Sequence, residues 1–232
     1  MDFSRRSYQK ELLDNPDLPT GDLQLNMQEL QIINTYLGGH RVSIRGLKAL
    51  AGDAAALSVC EIGCGGGDNL RVMENWCLRH QISLHTIGID IHPGCIAAAR
   101  QKTDPSTAKL IVSDFRELDF AMDKPDIIFA SLFCHHFTDE ELLDVLSWMQ
   151  RNARHGFFIN DLHRHPIAYY AIKFITRLFS KSYLVRHDAP LSVRRGFRRK
   201  EWERLLEAAD CKQYQLSWQW AFRWLIVIKH KR

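Results

Sequence analysis

Val59–Leu70 reads VCEIGCGGGDNL, and the order of its residues decides the fold. A short apolar run ends in Glu61. Gly63, Gly65 and Gly67 then recur at alternate positions, and a helical pattern opens at Asp68. Glycine accepts backbone angles with positive φ and lets a ligand lie directly against the main chain. The turn falls at the carboxyl end of a strand, where open parallel sheets bind their ligands. A dinucleotide fingerprint needs another glycine at position 68. Here the residue is Asp68, whose charge repels phosphate, so the turn suits a nucleoside ligand that carries none.

Working outward, short β-rich runs alternate with helical segments. The runs are Leu57–Ile62, Ser83–Asp90, Ala108–Ser113, Asp126–Phe133 and Gly156–Asn160, mostly apolar and bounded by turn residues, as strands buried on both faces are. Asp68–His80, Pro93–Lys102 and Asp139–Arg151 separate them. The last is preceded by Thr138 with Glu141 three residues on, a capping box. Pro93 suits a first helical turn, where a missing N–H costs nothing. This rhythm implies right-handed βαβ units and a parallel sheet. Residues 8–50 read as helical, with Leu23, Leu30, Ile33 and Leu37 at near-helical spacing and Gly38-Gly39 as a stop. Beyond Asn160 the rhythm changes to helices over Pro166–Ser180 and Arg198–Asp210. Tyr214–Trp220 and Phe222–Lys229 then suit a terminal hairpin. The expected organisation is an N-terminal helical cap over 1–50 and a main domain over 51–232, with a helical insertion at about 163–195.

Composition narrows the class. The chain has 232 residues, 46% hydrophobic and 25% charged, with a net charge of +4. That is a globular composition whose charge is too weak to name nucleic acid as partner. The six cysteines form no C-x-x-C pair, so neither a zinc ribbon nor a thioredoxin motif is readable. No signal peptide, apolar run of spanning length or lipidation box is read. The expected setting is reduced and cytoplasmic.

Two more acids extend the site. Asp90 closes the second strand (TIGID), placed to accept bonds from ribose hydroxyls. Asp114 closes the third (LIVSD), placed to accept from an adenine amino group, with Phe115 beside the ring. A helix N-cap is the plainer role for either acid taken alone. EIGCGGGDNL, GIDIHP, VSDF and PDIIFASLFCHHF together resemble the class I S-adenosylmethionine-dependent methyltransferases. The resemblance implies a Rossmann-like, doubly wound, seven-stranded α/β sheet, mostly parallel with the last strand antiparallel. It also implies S-adenosyl-L-methionine as cofactor. Gly63, Gly65 and Gly67, beside Glu61, would meet its methionine end; Asp90 and Ile91 its ribose and ring; Asp114 and Phe115 its adenine. Glu61 stands where that family more often has Asp. ELLDNPDL, INTYLGGHR, NDLHRHPIAYY and APLSVRRGF are similar to a bacterial small-molecule subgroup of polyketide, phenolic and quinone pathways.

A phenolic acceptor benefits from a base. His135 and His136 follow the fourth strand, and His163 and His165 the fifth; His136 and His163 are the candidates for acceptor chemistry, against helix capping as the alternative. SLFCHHF lacks the N/D-P-P-Y/F turn of amine-methylating enzymes, and Cys134 reads as a packed thiol rather than a nucleophile. Asn160-Asp161 is similar to one part of a magnesium site, but histidines stand where a further carboxylate is needed, so no metal is assigned. RRGFRRK (Arg194–Lys200) reads as a solvated helix start in preference to an RNA contact; recognition of an acidic group by Arg194 or Arg195 is a third reading. The apolar side of Pro166–Ser180 reads as the roof of an acceptor pocket, with peripheral membrane contact as the alternative. The expected function is methyl transfer to a small hydrophobic acceptor, O-methylation ahead of C-methylation. RNA methylation and a non-catalytic cofactor-binding subunit are the competing readings.

Overall fold

The computed structural model describes residues 2–15, 17–121 and 123–230; the last two residues of the KHKR ending lie outside them. Its centre is a seven-stranded sheet in the order β3-β2-β1-β4-β5-β7-β6. The strands are β1 (Ala56–Ile62), β2 (Ser83–Asp90), β3 (Ala108–Val112), β4 (Ile127–Ser131), β5 (Gly156–Leu162), β6 (Tyr214–Gln219) and β7 (Arg223–Lys229). The first five pair in parallel, and β7 runs antiparallel to both β5 and β6. The expected sheet, with its reversed last strand, is present.

Helices cover both faces. One layer is α2 (Gly39–Ala51), α3 (Asp68–Arg79) and α4 (Pro93–Arg100). Leu47, Leu50, Val59, Met73, Phe129 and Phe158 form the core beneath it. The other layer holds α5 (Asp139–Asn152) and α8 (Arg199–Ala208), whose Leu146, Met149, Trp202 and Leu206 pack with Ile128, Phe157 and Ile226. Each such side chain taken from water contributes about 1.5–3 kcal/mol, so the continuously buried runs of β4, β5 and β7 are a large source of stability. Both bonds of the Thr138–Glu141 capping box start α5, and Pro93 occupies the first turn of α4.

The segment 1–50 divides physically. α2 belongs to the sheet's own layer, whereas α1 (Thr20–Tyr36) and an extended N-terminal strap lie across the carboxyl ends of the strands. Two strand ends are shorter than expected. β3 stops at Val112, and β4 stops at Ser131 because Leu132 takes a left-handed φ of 53° and the chain then coils into a 3-10 turn at Cys134–His136. The insertion holds two helices, α6 (Pro166–Phe179) and α7 (Tyr183–Arg195).

Close packing of α2 on the sheet depends on Gly46, where an added Cβ would lie 2.4 Å from the Phe158 ring. Gly46→Ala should lower the stability by about 1–3 kcal/mol in urea denaturation, as overpacked cores do. Gly21→Ala, in open space on α1, should be neutral or stabilising by up to ~1 kcal/mol.

Candidate active site

A cavity of about 610 Å³ opens at the carboxyl ends of β1, β2 and β4, beneath α1. Its floor is the glycine turn. Gly63 and Gly65 have φ of 67° and 51°. At Gly63 a Cβ would lie 2.1 Å from the Phe133 ring, whereas at Gly65 it would project into open space. The first glycine is therefore needed for packing and the second leaves bare backbone facing the cavity. Gly67 lies behind the turn, its Cβ position 3.2 Å from Ala99, and packs α3 against α4. Gly66 lines the cavity in its place.

Asp90 shapes this turn from the neighbouring strand. Its Oδ2 accepts from the Gly65 N–H and its Oδ1 from the His92 N–H, both at 2.8 Å. Burial pushes its carboxyl above the usual range, partly countered by those two N–H groups. Glu61 is buried at the end of β1; Oε1 accepts from Asn69 Nδ2 at 2.9 Å. Burial, and then the charge of Asp68, hold its carboxyl well above the ordinary value. Burial would also raise Asp68, but His40 Nε2, 2.6 Å from its Oδ2, outweighs that and keeps it low.

Four cavity-lining residues keep a buried polar atom without a protein partner: Asn26 Nδ2, Glu61 Oε2, Asn69 Oδ1 and His92 Nε2. An unmade buried hydrogen bond costs about 1–3 kcal/mol. Their convergence on one cavity marks a polar ligand site.

Asp114 lies at the rim as the N-cap of a short 3-10 turn, accepting from the N–H of Arg116, whose guanidinium also engages both its oxygens. Phe115 is buried against Trp148, Phe133 and Phe137, and Ile91 is exposed at the mouth. Both line the cavity.

The histidines separate. His136 lines the cavity, its Nδ1 3.1 Å from Asp14 Oδ1. Burial pulls the Asp14 carboxyl up, but the contact with His136 prevails and leaves it below the usual range. His163 does not line the cavity and is corrected: just after β5, its ring packs beside Trp224, His165 and Phe222. His135 is buried, with Nδ1 2.8 Å from Asp161 Oδ1 and Nε2 3.6 Å from Glu11 Oε1. Glu11, His135 and His136 bring three ligand-type atoms within 4.8 Å of one another, a set that could hold a metal ion. Arg195 Nε, 3.8 Å from Glu11 Oε1, already places a positive charge there.

The strap that delivers Glu11 and Asp14 is bolted down by buried arginines and one acid. Arg6 donates to the carbonyls of Arg195 and Phe137, and Arg164 to that of Phe3. Asp188 accepts from the N–H groups of Leu12 and Leu13. Arg195 is buried and donates to the His135 and His136 carbonyls, which removes it from the basic run Arg194–Lys200 as a surface contact. Burial pushes the Cys134 thiol up, so it packs as an apolar group. Asn160 and Asp161 are fully buried and partnered by Gly39, Ser43 and His135. The expected roof is also corrected: α6 does not line the cavity, and α1 covers it through Leu23, Met27 and Leu30. Sequence reasoning missed Asp14 and Asn26 as site residues, although Asp14 lies inside the quoted ELLDNPDL.

Residues 59–156 match the family described as "Methyltransferase domain". The matched span runs from β1 to the start of β5 and includes the glycine turn, Asp90 and Asp114. The plantazolicin methyltransferase BpumL, in complex with SAH, superposes with a TM-score of 0.68 at 15% identity over 94% of this chain and 92% of that one. Human N-acetylserotonin methyltransferase in complex with SAM gives 0.64 at 18% identity, over 92% of this chain and 57% of that one. Magnesium protoporphyrin IX methyltransferase (ChlM) from Synechocystis PCC 6803, with bound SAH, gives 0.55 at 15% identity over 84% and 83%. At these identities the likeness is one of fold. No curated relative matches the chain.

Burial, then the charges of His165, Arg164 and Arg198, lower the His163 imidazole to about 4. The unfolded chain takes up this proton first, near pH 6.5. Stability should therefore fall as pH drops from about 6.5 towards 4 and be indifferent to this group above that window. His163→Gln should flatten the pH dependence of the urea midpoint there, since it removes the titrating group.

Proposed function

We propose that this methyltransferase moves a methyl group from S-adenosylmethionine to the oxygen of a small, hydrophobic, phenolic acceptor of polyketide or quinone type, with His136 as general base. One observation carries the reading. A single cavity holds both a glycine turn ringed by acids and orphaned polar atoms, and an imidazole set by a carboxylate.

The acid-lined floor suits a ligand with cationic groups and no phosphate. Glu61 and Asp68 flank the turn, and the unpartnered Glu61 Oε2 can accept from an ammonium group, which would draw this raised carboxyl back to its ionised form. Asp90 keeps its turn contacts and offers its remaining lone pairs to ribose hydroxyls. The Phe115 ring and the Ile91 side chain border the adenine position, and Asp114, held by Arg116, marks its rim. When bound, S-adenosylmethionine supplies a methyl group on a positively charged sulfur.

The chain's own work is positioning and proton removal. Asp14 accepts from the Nδ1–H of His136, which fixes the tautomer and leaves Nε2, 3.9 Å from Glu11 Oε2, as the nitrogen to take the phenol proton. Leu23, Met27, Leu30, Phe133 and Phe137 supply apolar walls that exclude water and hold a flat ring. Alignment of this kind is worth about 7–11 kcal/mol in favourable cases. The unpartnered Asn26 Nδ2 gives an acceptor oxygen a donor from the roof.

Two measurements test this. Asp90→Asn should weaken S-adenosylhomocysteine binding in calorimetry by roughly 1.5–3 kcal/mol, the scale of charge-assisted bonds; unchanged affinity removes Asp90 from the ribose role. Against a panel of phenols, His136→Ala should lower kcat by about 10²–10⁴-fold with cofactor affinity unchanged, Asp14→Asn should lower it less, and His163→Gln should leave it intact. Product analysis separates oxygen from ring-carbon methylation.

A further inference from the structure

The solvent face of α6 is apolar where a surface helix is ordinarily polar. Ile167, Tyr170, Phe174 and Leu178 recur at helical spacing and are 62%, 58%, 68% and 62% exposed, with Ala171 among them. The helix's inward face is Tyr169, Ile172 and Thr176. Apolar surface continues along the last turn of α6. Ile175 and Phe179 share a shallow groove with Ile32, Ile33 and Tyr36 of α1 and with Leu37 just after it, and Tyr36 is 81% exposed. The tip of the β6–β7 hairpin joins there, with exposed Trp220 against Gly38 and the Ala221 N–H donating to Leu37 O.

Charge singles out the occupant. From His165 to His187 the chain holds no acid, whereas Lys173, Arg177, Lys181 and Arg186 are cationic. On α6, Lys173 and Arg177 lie one turn apart along the flank of the ridge, Arg177 exposed. Glu29, the acid beside the groove, is taken up by the backbone N–H groups of Lys181 and Ser182 and the Ser180 hydroxyl. A two-fold contact between copies would set these cations against their own images with no acid between them. A bilayer surface bearing anionic headgroups answers both features: the apolar ridge enters the acyl boundary, and the basic flank meets the phosphates. Tyr36, Tyr170 and Trp220 are the amphipathic rings that favour that boundary.

We infer that the protein docks peripherally on anionic membrane through the α6 ridge, with α1 and the hairpin tip at its edge. The same α1 walls the cavity through Leu23, Met27 and Leu30, so docking sets the cavity's roof beside the lipid.

Flotation with vesicles tests this on the full chain. Vesicles of phosphatidylcholine containing one quarter phosphatidylglycerol should carry the protein up the gradient, and pure phosphatidylcholine much less. Lys173→Gln with Arg177→Gln should reduce partition roughly thirtyfold, at the usual worth of two interfacial cations, and raised salt should mimic it. Phe174→Glu should abolish flotation. Because both sites are outside the cavity, S-adenosylhomocysteine affinity should stay unchanged and reports that each variant is folded. Failure to float with either vesicle overturns the inference. So does a dimer in sedimentation velocity that Phe174→Glu dissociates, which assigns the ridge to a second copy. Neither result bears on methyl transfer.

Discussion

The carboxylate of Asp90 binds two pieces of chain that must stay in register for a site to exist. It closes β2, yet it accepts from the Gly65 N–H in the turn after β1 and from His92 N–H at the start of its own loop. Gly63 and Cys64 N–H groups both donate to Ile89 O, so the turn is also pinned through the main chain. The left-handed residues at 63 and 65 would cost any other side chain strain, and at 63 a collision with Phe133. Phe133 in turn packs with Phe115 and Phe137, the walls of the same cavity. Turn, rim acid and aromatic wall are thus one mechanical unit, and the other parts of the site are placed relative to it.

The second constraint is electrostatic. Glu11, Asp14, Asp139 and Asp161 meet Arg6, Arg195, His135 and His136 in a largely buried network that no single element supplies, and Asp188 holds the strap beside it through the Leu12 and Leu13 N–H groups. Burying such charges is repaid only when nearly every one has partners. Here the strap, the 3-10 turn after β4, β5 and α7 each contribute, so the network orders the strap as it compensates the charges. His136 gains its orientation from this arrangement: Asp14 arrives on a segment far away in the chain, held by Asp188 and Arg195.

Much of this was legible in the sequence, for physical reasons. Strands buried on both faces announce themselves as apolar runs, and capping boxes and glycine turns are local chemistry, so the first five strands, the glycine turn after β1, the position of Asp90 at the end of β2 and the Thr138 cap could be read directly. His163 was misplaced because adjacency to a strand end gives position along the sheet edge but not which way the side chain points. β5 pairs with β7, and that pairing draws His163 towards Trp224 and Phe222. Asp114 shows the converse: its N-cap role and its rim position coexist, and spacing alone could not say so. Asp14 was hidden because it meets His136 across more than a hundred residues, a distance that periodicity does not span.

The apolar side of α6 was also legible, but its direction was not. A helix with one apolar stripe is ordinarily assigned to the interior, because burial is the only stabilising outcome open to that stripe within one chain. α6 departs from this by anchoring through a narrower inward face, Tyr169, Ile172 and Thr176, helped by the edge contact of Tyr169 with Phe3 of the strap. Once that face suffices for docking on α7, the larger stripe is free to point outward. α1 then divides its own circumference between the two surfaces, with Leu23, Asn26 and Leu30 towards the cavity and Ile32 and Tyr36 towards the ridge. A shift of α1 that followed contact at the ridge would therefore move the residues above the acceptor position, because a single rigid helix carries both.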